Sequence, residues 1–203
     1  MDLLPLVEQS SVVGAYCITD AGDVAGMKDR GWEILSFPYP REDMDSRMRA
    51  KFFKVFPWEI PQVSKADISI YIDGSIRVLS SDLALRCSSL VGDMSLFRHP
   101  TRGNIYDELV VSKRMDKYNS QRISEQVESY RSIVPKKIDS GLYMGGFLVR
   151  RHTDRVRKLM SDWWHEMIKW SCQDQLSLPK VCLENGFVPE ILPEETGNLF
   201  EIV

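Results

Sequence analysis

Histidine is scarce, with three in 203 residues, and the four cysteines (Cys17, Cys87, Cys172, Cys182) are scattered without a C-x-x-C pair. That spacing excludes a zinc knuckle and a disulfide framework, so buried reduced thiols are expected. No apolar run approaches the ~20 residues of a membrane-spanning helix. The opening MDLLPLVEQSSVVGAYC carries an acid and a proline where a signal peptide needs a basic end and an unbroken apolar stretch. A cytoplasmic protein is expected. Charge of one sign is lacking too: 26 Lys+Arg against 29 Asp+Glu leave a net charge of -3, which gives no broad basic field for nucleic acid and still permits a local basic pocket for a phosphate. There is no G-x-x-x-x-G-K-[ST], no G-x-G-x-x-G after the first strand, no G-x-S-x-G, no repeat and no low-complexity segment. An aspartyl phosphatase would want a second carboxylate two residues before Asp73, where Tyr71 stands.

What is present is ordinary globular composition, 43% hydrophobic and 27% charged, in a chain long enough to bury roughly 70% of its unfolded surface as one domain over residues 1–203. Apolar runs at 11–19, 32–37, 67–73, 94–99 and 140–152 predict strands. Helical spacing of Met48, Phe52, Phe53 and Phe56 predicts a helix over 45–56 ended by Pro57, with Arg47, Arg49, Lys51 and Lys54 on its other faces. Further helices are predicted from Ser80 or Ser81 to Val91, over about 104–116, and over about 120–133 as a polar, peripheral helix. Thr153 caps a helix to Trp170 whose stripe is Val156, Leu159, Met160, Trp163, Trp164, Met167 and Ile168, and a last helix over about 173–185 should be interrupted by Pro179. The interleaving predicts an α/β three-layer fold with a mostly parallel central sheet. The closing NLFEIV is apolar without a polar tail, so the natural chain is expected to continue.

The candidate chemistry begins at SIYIDGSI. Apolar alternation around Asp73-Gly74 is a hairpin signal, and the same letters suit a buried strand that delivers Asp73 to its carboxyl end, where open α/β sheets bind ligands. Arg47 and Lys51, four apart, could clamp a diphosphate or simply form a solvated face. Gly145-Gly146 permits a close approach by a substrate or by a neighbouring strand. Asp139 reads as a turn residue, Asp174 and Gln175 as the start of a helix, and His152 as a structural histidine or a metal or phosphate ligand.

Taken in order, YCITD, WEI, RMRAKFFKVFP, YIDGSI, FRHPTRGNIYDE, GLYMGGFLVRRH and WWHEMIKWSCQDQLSL resemble the glycosyltransferase-like domain family, long catalogued as of unknown function, of bacteria, of plant proteins in mucilage and pollen-tube biology, and of large algal viruses. The likeness covers about residues 12–185 and extends in particular to the virus-encoded members, where the domain opens a longer chain. More distantly the set is similar to the retaining sugar transferases of family eight, with the GT-A fold. The resemblance implies transfer of a hexose or deoxyhexose, glucose- or rhamnose-like, from a UDP-sugar to a saccharide or glycoprotein acceptor, with Mn²⁺ or Mg²⁺ and with retention. It implies Tyr16, Thr19 and Asp20 around the nucleoside, and Asp73, Gly74 and Ser75 in place of a D-x-D metal motif, so that the second carboxylate is replaced by Ser75. His152 is the candidate to complete the metal shell, and Arg47, Lys51 and Arg151 to meet the diphosphate. Gly145 and Gly146 would face the donor sugar, with Asp174, Gln175 and Asp139 beside the reaction centre. Two rivals stand next to this one: a non-catalytic nucleotide-sugar-binding module, and a scaffold domain in which Asp73-Gly74 is only a hairpin turn.

Overall fold

A computed structural model describes residues 3–11, 13–19, 30–36, 44–136 and 141–203. Its elements are β1 (Tyr16–Ile18), β2 (Glu33–Leu35), α1 (Ser46–Val55), β3 (Ile68–Ile72), β4 (Ile76–Val78), α2 (Leu83–Leu90), β5 (Met94–Arg98), α3 (Ile105–Ser112) and α4 (Ile123–Ser129). There follow β6 (Tyr143–Arg151), α5 (Asp154–Lys169), α6 (Asp174–Glu184), β7 (Glu190–Ile191) and β8 (Phe200–Ile202).

The main sheet has the order β3-β6-β5-β7. Strand β6 runs antiparallel to both β3 and β5, and only the short β7 is parallel to β5. A parallel pair β1-β2 and an antiparallel pair β4-β8 complete the strands among the described residues. The fold is therefore mixed α/β, and the expected mostly parallel sheet is corrected. A strand buried on both faces shows the same apolar run whichever way it points, so direction was not written in those runs.

Alternation along β6 divides the core. Leu148 joins Leu96, Met94, Leu159, Met160 and Trp163 under α1, α5 and α6, while Phe147 and Val149 pack on the other face with Ile76, Leu83, Cys87 and Phe200. Helix α5 is anchored by Thr153, whose hydroxyl accepts from the Val156 N–H at 3.3 Å, and its apolar stripe is buried from Val156 to Met167. Ile168 lies off that stripe, 56% exposed.

Helix α6 passes through Pro179 without a break. The proline forfeits one helical hydrogen bond, and burial of Leu176, Leu178, Val181 and Cys182 outweighs that loss. Helix α4 is shorter and less peripheral than its polarity implied. It buries Ile123 and Val127, and also Gln126, which bonds to the Tyr130 and Ser171 hydroxyls. The closing apolar residues form β8 against β4.

Strand β6 is irregular where it matters most. Between the pairs Leu96↔Leu148 and Arg98↔Tyr143, two steps along β5 match five along β6. The surplus residues include Gly145 and Gly146, and a bulge of this kind re-aims the groups beside it.

Candidate active site

Asp73 follows the last residue of β3. Its N–H donates to the Gly146 carbonyl at 2.8 Å, and its own carbonyl accepts from the Ile76 N–H at 2.9 Å, closing a tight turn over Gly74 and Ser75. The turn is no hairpin, because β3 pairs with β6 and β4 pairs with β8. Both local readings were half right: Asp-Gly makes the turn, and the turn lies between two sheets, so Asp73 stands at a strand end. Its Oδ1 accepts long bonds from the Ser75 N–H and hydroxyl at 3.3 and 3.4 Å.

Helix α1 approaches from the other side. Asp45 caps it by accepting from the Arg47 and Met48 N–H groups at 2.8 and 3.0 Å, and Lys51 and Lys54, one turn apart, then point to a single oxygen. Lys51 Nζ donates to Asp174 Oδ2 at 2.6 Å, and Lys54 Nζ donates to that oxygen and, at 2.5 Å, to the Gly145 carbonyl. Lys54 Nζ also lies 5.2 Å from the ring centres of Tyr71 and Trp163.

Asp174 is the first residue of α6, where the helix dipole favours a carboxylate. Trp163 Nε1 donates to the Asp174 carbonyl at 3.0 Å, and Gln175 Nε2 donates to the Tyr143 carbonyl at 2.9 Å, which ties α6 to α5 and β6.

Burial would raise the Asp174 pKa, but the Lys51 and Lys54 ammoniums reverse this and hold it well below the usual carboxylate range. Burial pulls Lys54 down to about 8, against Asp174 and with the repulsion of Lys51. Burial opposes the Lys51 charge as well, yet Asp174, and to a lesser extent Asp73, leave its pKa raised. The Tyr71 phenol is pushed up by burial and by the Asp73 and Asp174 charges.

The glycine pair serves this contact. A Cβ on Gly145 would lie 3.3 Å from Lys54 Nζ and 3.4 Å from Asp174 Oδ1, and one on Gly146 would lie 3.5 Å from the Asp73 Cβ. The close approach is to neighbouring side chains. Asp73, Gly74, Ser75, Gly145, Gly146, Lys51, Asp174 and Gln175 thus come together. Arg47 lies one helical turn before Lys51 and donates to the Lys117 carbonyl at 3.3 Å, beside Tyr118.

Other expected members are elsewhere. His152 and Arg151 lie at the far end of the β3/β6 ladder, opposite Asp67 and Ile68, and the six residue steps from Asp67 to Asp73 span ~20 Å. One ion cannot be shared by Asp73 and His152. The histidine instead faces Ser69 Oγ at 3.0 Å and the Trp58 ring, and burial, then Arg150 and Arg157, lower it to about 4. Tyr16 and Thr19 belong to the β1-β2 pair, which joins neither the main sheet nor the β4-β8 pair, and a cleft of about 580 Å³ runs beside it along Gln9, Ser11, Val13 and Ala15. Asp20 and Asp139 fall outside the described residues.

Lys54, Tyr71 and Trp163 were missed. Arg47, Lys51 and Lys54 stand at i, i+4 and i+7, one helical stripe, and that spacing was the available signal for Lys54.

Among the described residues no three His, Cys, Asp or Glu side chains gather. Asp174 Oδ2 is taken by two ammoniums, which leaves Asp73 as the carboxylate available to an ion. A single carboxylate does not make an all-protein cage, so a Mg²⁺ or Mn²⁺ here would have to draw its remaining oxygens from a bound diphosphate and water.

A family model described as TOD1/MUCI70, glycosyltransferase-like domain, matches residues 32–188. The chain belongs to this family. The TOD1/MUCI70 match takes in α1, the Asp73 turn, β6 and α6, and it begins after β1. Membership in this glycosyltransferase-like family supports a glycosyltransferase-type function, with a sugar donor and an acceptor. No curated protein matches the chain. Among the described residues no helix is long and apolar enough to cross a membrane.

Proposed function

We propose that the chain is a GT-A-type glycosyltransferase that moves a hexose or deoxyhexose from a UDP-sugar to a saccharide or glycoprotein acceptor, with retention and with the help of Mn²⁺ or Mg²⁺. Beside family membership, one observation supports it: Asp73 at the end of β3 acts electrostatically on Lys51 and Lys54, which hold Asp174 at the N-terminus of α6. Ammoniums beside a helix N-terminus suit a diphosphate, and a nearby carboxylate suits the cation that would accompany it.

In the transfer the bond from the anomeric carbon to the diphosphate oxygen breaks with its electron pair on that oxygen. The acceptor hydroxyl forms the new bond and gives its proton to the departing phosphate. Positive charge grows on the sugar and negative charge on the diphosphate. A divalent ion held by Asp73 would neutralise part of that negative charge. Lys51, partly exposed, and Arg47 meet the diphosphate, and the α6 N-terminus adds its dipole. Asp174 is too weak a base to take a proton, so it serves as a fixed negative charge beside the developing sugar cation. Tyr16, Thr19 and Asp20 take the nucleoside.

Incubation with Mn²⁺ and a set of UDP-sugars should release UDP, and Asp73→Ala should abolish release and weaken UDP binding in the presence of the metal. Unchanged activity in that variant would remove the role of Asp73. Ser75 in place of a second carboxylate favours a second reading, a nucleotide-sugar-binding module without turnover. Such a module would gain thermal stability with UDP-sugars and release no UDP.

A further inference from the structure

Lys51 and Lys54 share Asp174 Oδ2, yet they are not equivalent. Lys51 is 22% exposed at the side chain, whereas Lys54 is 1% exposed. Lys54 is enclosed by the Gly145 carbonyl of β6, the Tyr71 ring of β3, the Trp163 ring of α5 and the Asp174 carboxylate of α6. A lysine buried this way is costly to desolvate, and an apolar side chain in its place would leave the Gly145 carbonyl without its ammonium and Asp174 with Lys51 alone.

The geometry points to Lys54 as a positioning residue for the transfer reaction, one that keeps Asp174 ionised and in place when Lys51 turns from it to an incoming diphosphate. This rests on the glycosyltransferase reading of the site. The division of labour follows from reach. Lys51 has a solvent-facing path to swing along, while every direction open to the Lys54 ammonium is filled by carbonyl, carboxylate or ring. If Lys51 left with no second cation behind it, the Asp174 carboxylate would stand buried and unpaired beside the reaction centre and would take up a proton. The charged or titratable groups that face Lys54 are Asp174, Lys51, Asp73 and Tyr71.

The test is the ¹³Cγ resonance of Asp174 followed against pH in the wild type, in Lys51→Met and in the double variant Lys51→Met/Lys54→Met. In Lys51→Met, which mimics the displaced lysine, Asp174 should stay ionised down to about pH 3. In the double variant its proton affinity should rise at least tenfold above that of an ordinary aspartate, for which the pKa is about 3.9. Should the double variant not fold, Lys51→Met carries the test by itself, because Lys54 is then the ammonium left on Asp174 Oδ2. Titration of Asp174 in the ordinary range in Lys51→Met overturns the assignment. In turnover assays Lys54→Met should lower kcat about 10²-fold with KM for the UDP-sugar within about threefold, as misplacement of a charged group does, whereas Lys51→Met should raise KM. An intact titration pattern with no UDP released from any UDP-sugar overturns the glycosyltransferase reading, and with it the catalytic part of the Lys54 role.

Discussion

The Asp73 N–H donates to the Gly146 carbonyl at 2.8 Å, and the carbonyl one residue earlier, that of Gly145, holds the Lys54 ammonium at 2.5 Å. Adjacent carbonyls of one irregular strand therefore fix the turn that carries the Asp73 carboxylate and the helix that carries the cations. Strand β6 sets the distance between them, so its two glycines are the place to perturb the site without removing a charge.

Gly145→Ala should be felt more than Gly146→Ala. The added methyl would meet Gln175 Cγ at 3.2 Å as well as the Lys54 and Asp174 polar atoms, contacts that are tight on every side. A loss of about 1–3 kcal/mol is expected, the usual cost of overpacking, together with weaker UDP binding. Gly197→Ala, whose Cβ would meet nothing within 4 Å, should stay within about 0.5 kcal/mol of wild type. Urea denaturation of the three variants checks the order.

Stability should depend on pH from two sides of this cluster. The Asp174 pKa is depressed in the folded state, so its contribution is present above the unfolded value of about 3.9 and is lost as pH falls through the lower folded value. Lys54 has the opposite consequence at the alkaline end. Its folded pKa of about 8 lies below the ordinary lysine value of 10.5, so between those limits the unfolded chain binds more protons and stability rises with pH. Urea midpoints of wild type minus Lys54→Met should rise from pH 8 to 10, and a flat difference would refute the burial of a charged Lys54.

Arg150 is a second buried cation, 1% exposed, and no carboxylate joins it among the described residues. Its Nε donates to Ser69 Oγ at 3.2 Å and one Nη lies 3.5 Å from Met160 Sδ, while burial lowers its pKa to about 9. Replacing an uncompensated buried charge by an apolar side chain of similar length is neutral or stabilising, so Arg150→Met should keep or raise Tm. A fall of more than about 2 kcal/mol would show that the guanidinium is worth more than its bonds to Ser69 and Met160.

His152 should be dispensable for nucleotide binding. It sits at the opposite end of the β3/β6 ladder from Asp73, and Asn in its place leaves that end intact. UDP affinity measured by calorimetry with Mn²⁺ should change less than twofold in His152→Asn, and a tenfold loss, about 1.4 kcal/mol, would require the two ends to meet.

Much of the secondary structure was legible because its causes are local. The 3.6-residue period marked α1 and α5, a side chain capped each start, and apolar runs marked β3, β5 and β6. The site was legible only in pieces. GLYMGGFLVRRH looks like one basic, glycine-rich motif, and an extended strand separates its glycines from His152 by ~20 Å. Lys54 reads in the sequence as one more charge off the apolar stripe of α1, since a buried ammonium cannot be told from a solvated one until its acceptors are known.

From its residue order alone this chain determined where helices begin, which runs enter the core, and that an Asp-Gly turn ends a strand. Only the tertiary structure decided that β6 lies antiparallel between β3 and β5, and that Asp174 meets Lys54 from 120 positions away. Periods and caps act across a few neighbouring residues, whereas strand direction and ion pairing depend on which surfaces the packed core brings together.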